Sequence, residues 1–458
     1  MTDLLVLGGG PAGVGAAYRA ARAGHTVTLL ERAPGPGGAA ASHTVGGLRV
    51  DLGSHRLHPS TEPRILADLR ALLGDELQER ERNGRIRLAG RWLGFPLSPA
   101  DLLRNLPPDF AVGAARDAAL AWTRTPRADT FAEVVRAGLG ATLAERFYFP
   151  YARKLWGLEP EELCGEQARR RVRADSPAKL VAKVLRRGSS PGAVFHYPRR
   201  GFGTISERLA EAAADAGADL RFSAAAERLV LGRDGVAVIA GGREHRAARV
   251  FSTIPLPALV RLSGDAAPLA VHAAAGALTS RAMVLVYLVL ARRQYTPFDA
   301  HYLPEAFTPV TRVSEPRNYR VGDDPPDRTV LCAELPCAKG DAVWSASASA
   351  LGTLVVDGLR AAGLPEPPVL EVEVRRLPRA YPVYRAGFAE HFATLDAWAG
   401  AQSRLLTFGR QGLFAHDNTH HALAMAWDAV DALGPDGRFD GRAWSAARRR
   451  FAAHVVED

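Results

Sequence analysis

The sequence contains little cysteine. Its three cysteines are Cys164, Cys332 and Cys337, and no two of them have the Cys-x-x-Cys spacing of a metal or redox motif. A sparse, odd number of cysteines argues against a disulfide framework and is typical of a reducing compartment. We therefore expect a cytoplasmic protein without structural disulfides.

Long apolar runs are also absent. A membrane-spanning helix needs about 20 apolar residues, and the longest clear run, at 282–291, is better interpreted as a buried strand. The N-terminus lacks the basic segment of a secretory signal peptide, and its apolar residues run directly into a glycine loop. These features predict a soluble chain. Amphipathic stretches within 102–122 leave membrane contact open, although packing on the protein's own domain is favoured.

Lysine is scarce, so almost all of the positive charge is arginine. The 458 residues carry a formal net charge of +9. Codon bias in a GC-rich genome is the simpler explanation. The functional alternative is an anionic ligand, because arginine contacts phosphate through two parallel hydrogen bonds. The arginines are scattered and form no nucleic-acid-binding motif, so we expect a small-molecule substrate and no nucleic acid. The oligomeric state is left open.

Glycine, in contrast, is plentiful, and its first cluster lies in a nucleotide-binding pattern. An apolar strand at 4–7 precedes the run Gly-Gly-Gly-Pro-Ala-Gly at 8–13, and an alanine-rich helix follows to about Ala23. A second strand, 27–30, ends at Glu31. In this Gly-x-Gly-x-x-Gly pattern Gly8 permits a tight turn, Gly10 admits a pyrophosphate, and Gly13 lets the helix pack on the strand.

The carboxylate of Glu31 indicates which dinucleotide is bound. It can accept hydrogen bonds from ribose hydroxyls and would repel a 2′-phosphate, so NADP is disfavoured. The pyrophosphate would lie at the helix N-terminus, where free N–H groups favour an anion. FAD and NAD both use this unit, and the residues after Glu31 distinguish them.

Those residues resemble the flavoprotein group that contains amine oxidases, protoporphyrinogen oxidases and UDP-galactopyranose mutases. The extension at 31–42 carries the group's Gly-Gly pair, and Asp-Leu-Gly-Ser-His at 51–55 resembles its segment beneath the flavin ring. Phe-Gly-Arg-Gln-Gly at 408–412 is similar to the C-terminal FAD motif. Residues 149–157 resemble a signature of the protoporphyrinogen oxidase-like and mutase-like branch.

The resemblance implies non-covalent FAD and a helix that begins at about Asn418 with its N-terminus toward the flavin pyrimidine edge. No metal site is expected, because His416 and His420 have no apparent third ligand. The implied cofactor-binding residues are Gly8, Gly10, Pro11, Ala12, Gly13, Glu31, Arg32, Gly37, Gly38, Ala39, Gly53, Ser54, His55, Gly409, Arg410 and Asn418.

The fold class expected from the elements and the resemblance is α/β. A Rossmann-type, GR2-like FAD-binding domain would be interleaved with a mixed-sheet substrate domain and a helical insert. The predicted boundaries are 1–85, 196–265 and 401–458 for the FAD-binding parts, 86–195 for the insert, and 266–400 for the substrate domain. Within the insert, a short hairpin is predicted before the helices.

Three residues are candidates for the substrate site, although no catalytic residue is assigned. Arg312 lies in a segment similar to a mutase strand whose arginine binds the sugar-nucleotide pyrophosphate; the alternative is a solvent-facing arginine. Tyr381 lies in a Tyr-Pro segment resembling one near the flavin, and core packing explains it equally well. His55 lies in the segment expected beneath the flavin, where it could hydrogen-bond the cofactor or substrate.

Two enzymatic functions follow from the resemblance. The first is an oxidoreductase that transfers hydride between a small or medium organic substrate and flavin N5. The second is a redox-neutral mutase or isomerase that acts on a nucleotide sugar. A non-enzymatic lipid-binding role, as in the Rab GDP-dissociation inhibitors that share the architecture, is disfavoured because the phosphate loop is intact.

Overall fold

The computed structural model describes residues 2–95, 97, 101, 104–172 and 194–456. Part of the predicted helical insert, including residues 173–193 and two residues of the amphipathic stretch at 102–122, lies outside these ranges. Among the described residues, no helix has the length and apolar character needed to cross a membrane.

The strands form two large sheets and two small two-stranded ones. Their bounds are β1 Thr2–Leu7, β2 Val27–Leu30, β3 Ser42–Val45, β4 Leu48–Asp51, β5 Leu77–Glu81, β6 Gly84–Leu88, β7 Arg91–Phe95, β8 Val194–Pro198, β9 Asp219–Arg221, β10 Ala226–Leu231, β11 Val236–Ala240, β12 Arg243–Ser252, β13 Thr279–Leu290, β14 Ala300–Tyr302, β15 Arg312–Ser314, β16 Thr329–Cys337, β17 Val369–Val383 and β18 Leu405–Thr407.

The α-helices are mostly short and connect or cover the sheets. Their bounds are α1 Pro11–Arg22, α2 Pro63–Leu73, α3 Pro108–Ala119, α4 Phe131–Leu139, α5 Ala141–Leu143, α6 Phe149–Trp156, α7 Gly165–Val172, α8 Thr204–Asp215, α9 Leu256–Leu262, α10 Leu269–Ala277, α11 Ala342–Ser345, α12 Ala348–Ala361, α13 Phe388–Gly400, α14 Gly409–Gly412, α15 Thr419–Asp431 and α16 Gly441–Phe451. A π-helical segment, Ala144–Tyr148, precedes α6.

The first large sheet has the order β10-β11-β12-β1-β2-β9, and β18 pairs with β12. Its centre is parallel, since β1 pairs in parallel with both β2 and β12. Alternate residues of β1 enter different cores: Leu4 and Val6 pack in one hydrophobic cluster, and Leu5 and Leu7 pack in another. Burial on both faces explains why the strand is apolar throughout. The sheet is the predicted Rossmann-type layer.

The second large sheet has the order β17-β13-β16-β15-β14-β6-β7. It is mixed, because β14 pairs in parallel with β6 whereas the other neighbours are antiparallel. The hairpin β6–β7 therefore belongs to this sheet, although the predicted insert at 86–195 begins within it. Helices α11 and α12 are separate because Ala346 between them is extended, and the side chain of Ser347 accepts a hydrogen bond from the Ala350 N–H to cap α12.

Helices of the insert form a hydrophobic cluster of their own. Phe131, Phe149, Trp156 and Leu163 are buried in it, and Val383 at the end of β17 packs against them. Trp156 is thus a core aromatic whose ring contacts Phe131 edge-to-face, with centroids 5.4 Å apart. The insert is anchored to the second sheet through this cluster.

Lys154 on α6 makes a polar link between the insert and the 303–310 segment. Its ammonium group donates to the backbone carbonyls of Leu303, Glu305 and Val310, at 2.9 Å for Glu305 and 2.7 Å for Val310. We expect Lys154→Met to lower the free energy of unfolding by about 2–4 kcal/mol, because three backbone carbonyls lose their donor. Urea denaturation of the FAD-loaded protein would measure this change.

The matched control is Lys339→Met, since Lys339 is exposed. Its free energy of unfolding should stay within about 0.5 kcal/mol of the wild type. Equal stability of the two variants would show that the link between α6 and this segment contributes nothing.

Candidate functional site

Two positions in and just after the glycine loop between β1 and α1 can be occupied only by glycine. Gly8 has a φ of +100°, and a Cβ on it would lie 2.6 Å from Thr253 Oγ1. A Cβ on Gly13 would lie 1.8 Å from the Gly8 carbonyl oxygen, so any side chain there would separate helix from strand. The loop geometry is thus the one that the Gly-x-Gly-x-x-Gly pattern predicts.

Glu31 lies beside this loop and is buried. Its Oε2 accepts a hydrogen bond from the Gly9 N–H at 2.6 Å, and its Oε1 accepts one from the Ala33 N–H at 2.7 Å. Two backbone donors therefore fix the carboxylate at the end of β2. The remaining acceptor positions of the carboxylate suit the hydroxyls of a ribose.

The Gly37-Gly38 pair folds back onto the glycine loop. The Gly37 N–H donates to the Gly9 carbonyl at 2.8 Å, and a Cβ on Gly38 would lie 3.2 Å from Gly10 Cα. Gly409, from the C-terminal motif, packs so closely that its Cβ would lie 2.9 Å from Ala12 Cβ. Three segments that are distant in the sequence therefore converge at the N-terminus of α1.

The position of Gly10 leaves room in front of the helix. A Cβ built on Gly10 meets no protein atom within 4 Å. The first turn of α1 contains no acidic side chain, and Pro11 occupies its first position. Free N–H groups at a helix N-terminus, with space before them, form a binding site for an anion. These residues fit the pyrophosphate of FAD.

A second helix N-terminus belongs to the C-terminal motif. Asn418 is the N-cap of α15 and forms a capping box with His421. The helix packs on α1, since a Cβ on Gly15 would lie 2.8 Å from the Trp427 ring. The prediction that this helix begins at Asn418 is confirmed, and its orientation toward a flavin stays a prediction.

Arg312 on β15 pairs with Glu334, which lies opposite it on β16. The guanidinium donates from Nε at 3.0 Å and from Nη2 at 2.7 and 2.9 Å to the carboxylate oxygens, and Glu334 is only 4% exposed. The Ser54 N–H donates to the same carboxylate at 2.8 Å. The ion pair thus joins the second sheet to the segment predicted to run beneath the flavin.

His55 follows Ser54 and lies among arginines. Its Nε2 is 2.9 Å from the Ala39 carbonyl oxygen, so this nitrogen donates, and its ring packs on Phe202. Surrounding protein, with the charges of Arg312, Arg410 and Arg56, lowers the pKa of His55 to about 3. Burial is the larger cause of this lowered pKa, and the three cations act in the same direction.

Arg56 extends the arginine group on the other side of His55. It forms an ion pair with the buried Asp299 at 3.1 Å, and its Nη1 and Nη2 lie 3.3 Å from the hydroxyls of Tyr302 and Tyr319. Burial raises the pKa of Tyr319 to about 12, so its hydroxyl keeps its proton at neutral pH. The Ser54 hydroxyl hydrogen-bonds that same oxygen.

Tyr381 lies between two further arginines. The guanidinium carbons of Arg410 and Arg171 lie 5.3 and 5.6 Å from its ring centroid. Arg410 Nη2 donates to the Ala380 carbonyl at 2.8 Å, and its buried Nε has no hydrogen-bond partner among the described residues. Burial raises the pKa of Tyr381, with Glu334 adding to the effect. Tyr381 thus lies among these charged side chains, and its ring also packs against a hydrophobic core cluster.

The structure brings most of the predicted site residues into two adjoining groups. One contains the glycines of the loop, Glu31, the Gly-Gly pair and Gly409. The other, which we name the arginine cluster, consists of Arg56, Arg171, Arg312 and Arg410 with His55, Tyr302, Tyr319, Glu334 and Tyr381. Arg32 and Ala39 lie next to the first group with exposed side chains, and neither makes a side-chain contact that defines a role.

Sequence reasoning missed five members of the arginine cluster. Glu334 carried a usable signal, because it is the one charged residue in the otherwise apolar and polar-neutral strand Thr329–Cys337. Arg56 adjoins His55 in a segment already singled out. The other three members are Arg171, Tyr302 and Tyr319. They had no local sequence signal, because only tertiary contacts bring them together.

This arrangement agrees with a family-level comparison. The family model described as "Flavin containing amine oxidoreductase" matches residues 11–426. The chain belongs to this family. Membership of the flavin-containing amine oxidoreductases confirms the resemblance inferred from the motifs and confirms FAD as the cofactor.

Individual relatives of this flavin amine oxidoreductase are more distant. A phytoene dehydrogenase from Streptomyces griseus is 27% identical over 297 residues, which cover 57% of this chain and 56% of that protein. The chain thus spans little more than half the length of that curated relative.

Solved structures show the same fold over nearly the whole chain. A reduced UDP-galactopyranose mutase has a TM-score of 0.80 at 19% identity, with 97% of both chains covered. A protein from Exiguobacterium sp. 255-15, assigned as a protoporphyrinogen oxidase, has a TM-score of 0.71 at 21% identity, with 95% of this chain and 99% of that chain covered. At such identities the likeness establishes the fold and leaves the reaction open.

Proposed function

We propose that the protein is an FAD-dependent oxidoreductase that takes hydride from a small or medium organic substrate bearing an anionic group. The observation that carries the proposal is the arginine cluster, which lies beside the segment predicted to run beneath the flavin. Among the described residues, the four arginines form ion pairs with two buried carboxylates, Glu334 and Asp299, which leaves positive charge available for a ligand. The Arg410 Nε donor, which has no hydrogen-bond partner in the part of the chain that the structure describes, supports the same role.

The protein groups around this site favour binding and orientation over proton exchange. His55 stays neutral because burial, together with three nearby arginines, lowers its pKa. The phenols of Tyr319 and Tyr381 hold their protons, and Glu334 is committed to Arg312. Bound FAD supplies the hydride acceptor. The arginines would fix the anionic end of a substrate, and the partly exposed ring of Tyr381 would form an apolar wall beside them.

The second candidate is a redox-neutral mutase acting on a nucleotide sugar. The same arginines favour it, since guanidinium groups bind a diphosphate through paired hydrogen bonds. A titration of purified protein with a uridine diphosphate sugar, followed by absorbance in the oxidised and the dithionite-reduced state, separates the two functions. Tight binding by the reduced form alone supports the mutase, whereas flavin bleaching by an anionic substrate supports the oxidoreductase.

A pH profile tests the role given to His55. Because the pKa of His55 is lowered to about 3, the ring stays neutral from pH 5 to 9, and no limb of the profile in that range should arise from it. We expect His55→Ala to lower kcat/KM while the plot of log kcat/KM against pH keeps its shape. Steady-state kinetics with the anionic substrate that bleaches the flavin fastest would measure the pH profiles of the wild type and of His55→Ala.

If the wild type has a limb near pH 6–7 that His55→Ala abolishes, His55 titrates there and acts as an acid or base. The matched control is His391→Ala on the exposed face of α13, which should change neither the height nor the shape of the profile.

A further inference from the structure

His416 lies between the C-terminal motif and α15, and it is completely buried. Its ring contacts the ring of Tyr384 edge-to-face, with centroids 4.9 Å apart. Tyr384 follows three residues after Tyr381, whose ring lies between Arg410 and Arg171. His416 therefore adjoins the arginine cluster, although it is not one of the residues assigned to that cluster above.

A buried glutamine determines which nitrogen of the His416 ring carries the proton. Gln167 on α7 accepts the Tyr384 N–H with its Oε1 at 3.1 Å, so the amide oxygen must face Tyr384. The amide nitrogen is then the group closest to His416 Nε2, at 2.9 Å, whereas Oε1 is 3.3 Å from it. An amide nitrogen only donates, so His416 Nε2 accepts this hydrogen bond and carries no proton.

The remaining nitrogen, Nδ1, is therefore the N–H donor of a neutral ring. Burial lowers the pKa of His416 well below its ordinary value, and the charges of Arg171 and Arg410 act in the same direction. A neutral imidazole has one N–H and one bare nitrogen. Since Nε2 is the bare nitrogen, the proton lies on Nδ1 at neutral pH.

This Nδ1 donor has no hydrogen-bond partner among the described residues. The same holds for the buried Nε donor of Arg410, which belongs to the same C-terminal motif. A donor that has lost its contact with water and gained no acceptor is costly to bury. Two such donors in one motif indicate that a bound molecule supplies the acceptor.

The charges around His416 favour an acceptor that is anionic. Arg171 and Arg410 form no ion pair with any carboxylate that the structure describes, whereas the other two arginines of the cluster do. The acidic residue next to His416 is Asp417, and its Oδ1 is already in contact with two histidines. Hydrogen bonds from guanidinium and imidazole groups are strongest to a charged oxygen.

We propose that His416 is a binding residue for the anionic group of the substrate. A carboxylate or phosphate oxygen would accept the Nδ1–H of His416 and the Nε–H of Arg410, and Arg171 would add positive charge. The inference rests on the proposed function for the charge of the ligand. It adds a neutral donor, held in one orientation by Gln167, to a site otherwise described by its arginines.

Two substitutions separate this role from a structural one. The amide nitrogen of asparagine can take the place of imidazole Nδ1, whereas the amide of glutamine reaches the place of Nε2. His416→Gln can keep the contact with Gln167 but loses the Nδ1 donor, so it should bind an anion at least roughly tenfold more weakly. His416→Asn retains a donor at the Nδ1 position and should bind within about threefold of the wild type. A role confined to the Gln167 contact predicts the reverse order.

Isothermal titration calorimetry measures these affinities on FAD-loaded protein at constant ionic strength. Inorganic phosphate and sodium acetate are titrated separately, and saturable binding of either identifies the kind of anionic group that the site takes. His391→Gln, on the exposed face of α13, is the matched control and should bind as the wild type does. Flavin content should be equal in all variants.

Equal affinity of the wild type and His416→Gln would overturn the role of His416 alone. So would weaker binding by His416→Asn than by His416→Gln, because the Gln167 contact would then be the feature that matters. If the wild type binds neither phosphate nor acetate, the role of His416 and the anionic substrate of the proposed function are overturned together.

Discussion

Replacing Gly10 with valine is expected to give a folded protein that contains no FAD. A Cβ at this position meets no protein atom within 4 Å, so the fold can accommodate the side chain. The valine would instead fill the space before α1, where the pyrophosphate must approach the backbone. The ratio of flavin absorbance to protein absorbance, with circular dichroism as the test of folding, measures the result.

The control for this experiment is Gly276→Val. Gly276 is exposed on α10, and a Cβ there also meets nothing within 4 Å, but the position is remote from the glycine loop. This variant should retain full flavin content. Yellow, FAD-loaded Gly10→Val protein would contradict the assignment of the pyrophosphate to this loop.

Arg312→Met is expected to lower the free energy of unfolding by about 3–5 kcal/mol and to abolish measurable substrate turnover. The stability loss arises because Glu334, 4% exposed, would keep a buried charge without its partner. Under the proposed function, turnover fails because Arg312, which contacts the Ser54 carbonyl, no longer binds the substrate anion. Urea denaturation and flavin reduction kinetics measure the two effects.

The double variant Arg312→Met/Glu334→Gln separates stability from binding. Glutamine removes the uncompensated charge, and its carbonyl can still accept the Ser54 N–H bond that Glu334 accepts at 2.8 Å. We expect the double variant to recover most of the lost stability and none of the turnover. Recovery of turnover together with stability would show that Arg312 is a structural residue only.

The dinucleotide-binding part of the fold could be predicted from sequence almost to the residue. The predicted strands at 4–7 and 27–30 correspond to β1 and β2, and the helix between them is α1. Prediction succeeds here because turn, helix and strand signals lie within about thirty consecutive residues. The assignment of Glu31 and Gly13 rests on the same local pattern, and the structure gives each the geometry that the pattern requires.

The arginine cluster could be predicted only in part. Arg312, His55 and Tyr381 were found through resemblance to known segments, but the partner of Arg312 depends on the register between β15 and β16. Register follows from long-range packing, which no local pattern specifies. The ion pair between Arg56 and Asp299 likewise depends on long-range packing.

The histidines around the C-terminal motif show the same limit more clearly. His416 and His420 have a spacing that could suggest a metal site, but no third ligand is apparent in the sequence. In the structure His416 hydrogen-bonds Gln167, and the residues that meet are its neighbours, Asp417 and His421. His454, which also contacts Asp417, follows a separate helix, α16, and its position depends on how that helix packs. The expectation of no metal site stays a prediction.

The strand order of the first sheet has a consequence for the order of events during synthesis. β1 leaves the ribosome first, yet one of its two neighbours, β12, is made only after residue 243. Gly409, which packs on Ala12, follows still later. Contacts of such long range close slowly. The nascent chain should therefore complete its FAD site only after Gly409 has been synthesised, and one edge of β1 should stay without a strand partner until β12 is made.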